Sequence, residues 1–84
     1  MSEVFSKEES DRFFSLRKKG WRECTYRELS WARKLLLRIV EAKAVHRFYG
    51  SEEALTWAFP LDFASLDNLV RDARETFQRK VKLV

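Results

Sequence analysis

The chain has few of the residues that usually interrupt or cross-link a fold. Its 84 residues include two glycines, one proline and one cysteine. A single cysteine excludes an intrachain disulfide and is typical of proteins from a thiol-reducing compartment. Two isolated glycines, Gly20 and Gly50, exclude a glycine-rich phosphate loop. The composition therefore predicts one small, regular domain over residues 1–84 rather than a disulfide-stabilised or low-complexity chain.

Long apolar runs and catalytic signatures are also missing. The longest aliphatic run, residues 35–37, lies between Lys34 and Arg38 and is too short to span a membrane. The N-terminal segment has no apolar run typical of a signal peptide, so we expect a cytoplasmic protein that does not bind membranes. One histidine, His46, and one cysteine do not have the spacing of a metal site or of a nucleophile with its base. We therefore predict a non-enzymatic protein with no catalytic residues, no metal and no cofactor.

Positive charge is concentrated in the middle of the chain. The formal net charge is +4, and residues 25–50 contain six Lys or Arg against two Glu. This segment opens with a capping box, Thr25 to Glu28, which predicts a helix over residues 25–43. Its predicted buried stripe consists of Leu29, Ala32, Leu36, Ile39 and Val40.

The opposite face of this helix is basic and contains a tryptophan. Together with two cations that follow the helix, it forms the predicted binding surface for nucleic acid or a partner protein: Arg27, Trp31, Lys34, Arg38, Lys43 and Arg47. Cations interleaved with an aromatic ring suit phosphate contacts combined with stacking on a base.

Two further helices are predicted on either side. A capping box at Ser6 and Glu9 predicts a first helix over residues 7–19, ended by Gly20. Near the other end, Pro60 is expected to end the preceding element, and a last helix over residues 62–82 is expected to follow. This last helix, 62–82, is also the candidate contact between two copies of the chain in a homodimer.

The segment 44–59 is ambiguous. Ala44 to Tyr49 and Ala54 to Phe59 alternate in polarity, which favours two strands of a hairpin with Phe48 and Trp57 on its buried face. The alternative continues the second helix to Tyr49, ends it at Gly50 and starts a short new helix with Ser51 as its cap, since short apolar runs do not decide between helix and strand. The predicted fold class is therefore α+β, with three helices and a β-hairpin between the second and third. An all-α small helical bundle is the alternative.

The passage from Leu35 to Phe48 resembles the junction where a winged-helix DNA-binding domain passes from its recognition helix into its wing. The resemblance implies transcription regulation, with Arg27, Lys34 and Arg38 at phosphates or base edges and Arg47 on a wing against the DNA backbone. Only a shortened variant fits, because residues 25–36 leave no room for a separate second helix and turn. The leading hypothesis is a small basic nucleic-acid-binding regulator that uses helix 25–43 and the hairpin 44–59, with DNA or RNA as the target.

The chain also has more aromatic rings than a core of this size obviously needs. Trp and Tyr, with Arg, are the residues that carry most of the energy of protein interfaces. The alternative function is therefore a protein-binding module, inhibitor or accessory subunit that acts on a larger protein complex. A virus- or plasmid-type antagonist belongs to this class.

Overall fold

The computed structural model describes residues 4–52 and 56–82, and residues 77–82 by their backbone alone. The described elements, in chain order, are α1 (Lys7–Lys19), a 3-10 turn (Trp21–Glu23), α2 (Tyr26–Glu41), α3 (Val45–Tyr49) and α4 (Ala58–Lys82). No strand occurs among these residues. None of their helices is long and apolar enough to cross a membrane.

The first two helices begin where the capping boxes predict. The Ser6 hydroxyl accepts a hydrogen bond from the Glu9 amide (3.1 Å), and the Glu9 carboxylate accepts one from the Ser6 amide (2.9 Å). Thr25 and Glu28 form the same reciprocal pair, at 3.2 and 2.8 Å. Each box satisfies amides that a helix N-terminus leaves without partners. The predicted bounds of the first helix are confirmed, and α2 ends two residues earlier than predicted.

The predicted hairpin is wrong, and the fold is all-helical over the described residues rather than α+β. Lys43 adopts a left-handed conformation (φ 55°), which ends α2 and lets a separate short helix, α3, begin. Ala44, Val45 and Phe48 are buried, a helical spacing that places all three on one side of α3. The short apolar run was misassigned because both periodicities fit it. In the second predicted strand, residues 54 and 55 lie outside the described residues.

The predicted start of the last helix is also wrong. α4 begins at Ala58, and Pro60 lies in its first turn instead of ending a preceding element. A proline is tolerated there because first-turn amides have no acceptor within the helix. Trp57, predicted on a buried hairpin face, lies immediately before α4 and is 68% exposed. The helix extends to Lys82, as predicted.

The core is built around α2, which makes its most extensive contacts with α4. Leu36 and Ile39 at the centre of the predicted stripe are fully buried. The edges of the stripe differ from the prediction, since Leu35 is buried and Val40 is 40% exposed. Among the residues whose side chains the structure describes, the buried hydrophobic ones are Phe13, Leu16, Leu29, Ala32, Leu35, Leu36, Ile39, Ala44, Val45, Phe48 and Leu66.

One buried carboxylate links four elements of the fold. Asp62, near the start of α4, is only 6% exposed. It accepts hydrogen bonds from Arg17 Nε (2.9 Å), Trp21 Nε1 (3.2 Å) and the Tyr49 hydroxyl (2.9 Å). These donors come from α1, the 3-10 turn and α3, so the Asp62 cluster (Arg17, Trp21, Tyr49 and Asp62) fixes α4 against all three. The sequence analysis placed Asp62 only at the start of the last helix and missed this role.

Tyr49 makes the Asp62 cluster sensitive to alkaline pH. Its burial, and then the neighbouring Asp62 carboxylate, raise the pKa of Tyr49 well above its ordinary value of 10.0. A group with a raised folded-state pKa contributes stability that is complete below the unfolded-state pKa and is lost as the pH rises above it.

We therefore expect a Tyr26→Phe variant, in which Tyr49 is the only tyrosine, to show no tyrosinate absorbance near 295 nm until it unfolds. Absorbance and far-ultraviolet circular dichroism, followed together above pH 10, test this, because the ordinary tyrosine pKa is about 10. Tyrosinate formation while the helical signal is intact would contradict the described burial of Tyr49.

Candidate functional site

α1 and α2 run antiparallel, and polar side chains cross the seam between them. Residues near the start of α1 contact residues near the end of α2, and residues near the end of α1 contact residues near the start of α2. The three cross-seam contacts are an ion pair of Arg38 with Glu9, the Arg12 guanidinium over the Trp31 ring, and Lys19 with Glu28 at 3.8 Å. This seam places the predicted binding face of α2 beside the outer face of α1.

Trp31 lies at the middle of the seam and is covered on one side. It is half-buried and packs against the core. The Arg12 guanidinium lies 4.4 Å from the ring centroid, within the range of a cation–π interaction. One face of the ring is therefore occupied by a cation of the protein itself. The sequence prediction assigned Trp31 to the surface but missed Arg12, which is distant in sequence.

Arg38 already has a carboxylate partner. Its guanidinium donates a hydrogen bond to Glu9, and this bond, followed by the one from the Ser6 amide, holds the pKa of Glu9 below its ordinary value of 4.5. Arg33 is engaged in the same way on the other side of α2, where its Nε lies 3.0 Å from Asp67 Oδ1. Two of the six cations in residues 25–50 are thus paired within the fold.

Arg27 and Lys34 are the predicted cations of α2 that stay available. Both are exposed, and no carboxylate of the described residues lies within 4 Å of either. Trp31, between them in the sequence, and Arg38, which follows them, lie on the same helix face. With Arg12 added, the α1–α2 cationic surface consists of Arg12, Arg27, Trp31, Lys34 and Arg38.

The last two predicted residues lie beyond this face. Lys43 is in the turn after α2, and Arg47 is on α3; both are exposed. Residues 45–49 form a helix instead of the strand expected to carry Arg47 against DNA, so the wing contact has no structural basis. The structure therefore brings four of the six predicted residues onto one helix face and places two past its end.

Cys24 and His46 have no arrangement typical of catalysis. The Cys24 thiol donates to the Gly20 carbonyl at 3.3 Å. Its burial, and then the neighbouring Glu28, raise the pKa of Cys24 above its ordinary value, the opposite of what activates a nucleophilic cysteine. His46 is exposed on α3. Among the described residues, no group of three His, Cys, Asp or Glu side chains could hold a metal ion.

A shallow cleft of about 530 Å³ separates the 3-10 turn from α4. Its walls carry both signs of charge, with Arg22 on one side and Asp72 on the other. Trp21 and Leu69 contribute its apolar part. No group of like charges converges there, so the cleft carries no functional assignment.

A separate apolar surface lies on the outside of α4. Trp57 and Leu61 are 68% and 65% exposed, more than any other large hydrophobic residue described. Pro60 and Ala64 are exposed beside them. These four residues form the outer apolar stripe, since their spacing of i, i+3, i+4 and i+7 places them on one side of the helix.

Comparisons of the chain with protein-family models, curated proteins and solved structures give no match. The chemistry of these two surfaces is therefore the basis on which a function is assigned.

Proposed function

We propose that this protein is a small, non-enzymatic nucleic-acid-binding regulator that contacts phosphates through the α1–α2 cationic surface. The observation that carries the proposal is the exposure of Arg27 and Lys34, without carboxylate partners among the described residues, on either side of the Arg12–Trp31 pair. Arginine and lysine at phosphates supply the main electrostatic part of nucleic-acid affinity.

The cation over Trp31 favours backbone contacts over base stacking. Arg12 covers the ring face on which a base would stack, and a base could take that place only by displacing the guanidinium. In its present position the guanidinium is oriented by the ring and available to a phosphate oxygen. We infer that the surface recognises the charge of the backbone and has little preference for sequence.

The number of available cations limits the affinity of one copy. Each phosphate neutralised contributes a fixed increment to binding and to its salt dependence. Two copies joined through α4, the helix predicted over residues 62–82, would double the contacts and raise affinity by their effective concentration. A cytoplasmic location suits this role, and the single cysteine, Cys24, is compatible with a reducing compartment.

Charge reversal tests the surface directly. We expect Arg27→Glu combined with Lys34→Glu to abolish most binding to a fluorescein-labelled DNA or RNA duplex, because both side chains are exposed and their loss leaves the core intact. The salt slope of binding should fall by about 2, the number of phosphate contacts removed. Fluorescence anisotropy across a salt series measures both quantities.

The matched control is Arg22→Glu combined with Arg74→Glu, which changes the net charge equally outside the surface. It should bind far better than the double variant at α2. If both double variants lose the same amount of affinity, the binding depends on net charge alone. If the wild-type chain does not bind the duplex at low salt, the proposal is wrong.

A protein-binding module, inhibitor or accessory subunit is the second candidate, a class that includes virus- or plasmid-type antagonists. The exposure of Trp57 and Leu61 favours it, because solvent-exposed Trp with a neighbouring aliphatic residue is a common interface anchor.

For this candidate, we expect a protein partner from nuclease-treated extract to bind the wild-type chain and to be lost with Trp57→Ala. The control is Tyr26→Ala, which removes a 48% exposed aromatic side chain from α2, away from the outer apolar stripe. This variant should still bind the protein partner. Loss of every partner on nuclease treatment would argue against this candidate and for the first.

A further inference from the structure

The side of α4 that faces away from the core has the residue spacing of a helix–helix contact. Asp62 and Leu66 are buried on its inner side, while the outer apolar stripe faces solvent. From Trp57 the outer positions recur at alternating intervals of four and three residues, which is the spacing of a helix–helix seam. The outer seam consists of Trp57, Leu61, Ala64, Asn68 and Arg71, and all five are exposed.

The outer seam is symmetric in position about Ala64. Trp57 lies seven residues before Ala64, and Arg71 lies seven residues after it. If two copies of α4 cross antiparallel at Ala64, the Trp57 ring of each faces the Arg71 guanidinium of the other. A guanidinium over an indole face is the most favourable pairing of cation and ring. Arg71 is exposed, and its guanidinium donates a hydrogen bond to Asp67 of the same helix at 3.1 Å.

The residue at the crossing point permits close approach. The methyl side chain of Ala64 lets two helix axes approach to the short end of the usual 8–10 Å range. Pro60 and Leu61 flank it, and no member of the outer apolar stripe is charged. Association through this surface therefore removes apolar area from water without desolvating an ionised group of the stripe.

We infer that the outer apolar stripe is the contact between two copies of this chain, which cross antiparallel at Ala64. A parallel arrangement is disfavoured because it places Arg71 against Arg71 and aligns the two helix dipoles. The seam from residue 57 to residue 71 is about 22 Å long. A contact of this length buries less than the roughly 800 Å² per partner of a stable complex, so the dimer is reversible.

This inference does not depend on the nucleic-acid proposal. The seam uses no residue of the α1–α2 cationic surface, and association is measured on the protein alone. Failure to bind nucleic acid and failure to dimerise are therefore separate results.

Sedimentation equilibrium tests the dimer. We expect the mass of the wild-type chain to rise from 10.1 kDa toward twice that value between about 10 µM and about 1 mM, the range of a weak complex. Trp57→Ala and Leu61→Glu should each raise the dissociation constant of the dimer at least about tenfold. Tyr26→Ala should leave it unchanged. A wild-type mass of 10.1 kDa throughout, or equal effects of the Trp57 and Tyr26 variants, would overturn the inference.

Cysteine cross-linking tests the register. In a Cys24→Ser background, Ala64→Cys should give a disulfide-linked dimer under mild oxidation, because residue 64 lies on the two-fold axis within reach of its copy. Glu75→Cys continues the same seam but should stay monomeric, since the two sulfurs would lie roughly 33 Å apart in the antiparallel pair. Cross-linking of Glu75→Cys as fast as Ala64→Cys would contradict the antiparallel register. Circular dichroism confirms that each variant is folded.

Discussion

The Asp62 carboxylate is the interaction on which the arrangement of the helices depends. A buried carboxylate is costly unless its oxygens are satisfied, and here an arginine, an indole and a phenol satisfy them. Each donor belongs to a different element, so the start of α4 has one favourable position against α1, the 3-10 turn and α3. Fixing that position determines which side of α4 is buried. The outer apolar stripe faces solvent as a consequence.

The two surfaces follow from how charge is distributed around this framework. Ion pairs at Arg38 and Arg33 use positive charge to hold α2 against its neighbours. The cations left over, Arg27 and Lys34, lie on the side of α2 that also faces Arg12. The apolar residues left over lie on α4. A chain of this size has little core, and in such chains surface features that do not serve the fold are the natural candidates for function.

Local signals in the sequence were sufficient for the elements with strong caps. The boxes at Ser6 and Thr25 predicted where α1 and α2 begin, and the period of α2 predicted that Leu36 is buried. The segment 44–59 could not be assigned, because a short apolar run fits both periods and the turn at Lys43 has no sequence signature. The Asp62 cluster and the Arg12 contact to Trp31 join residues distant in sequence. Only the packed structure brings them together.

Chemical denaturation of Asp62→Asn compared with Asp67→Asn tests the central role of Asp62 most directly. Both substitutions remove one carboxylate from α4, but Asp67 is a more exposed ion-pair partner. We predict a loss of about 2–4 kcal/mol in unfolding free energy for Asp62→Asn, since it disrupts a buried, charged hydrogen-bond cluster. For Asp67→Asn we predict a loss of less than about 1 kcal/mol. Equal losses in the two variants would contradict the account.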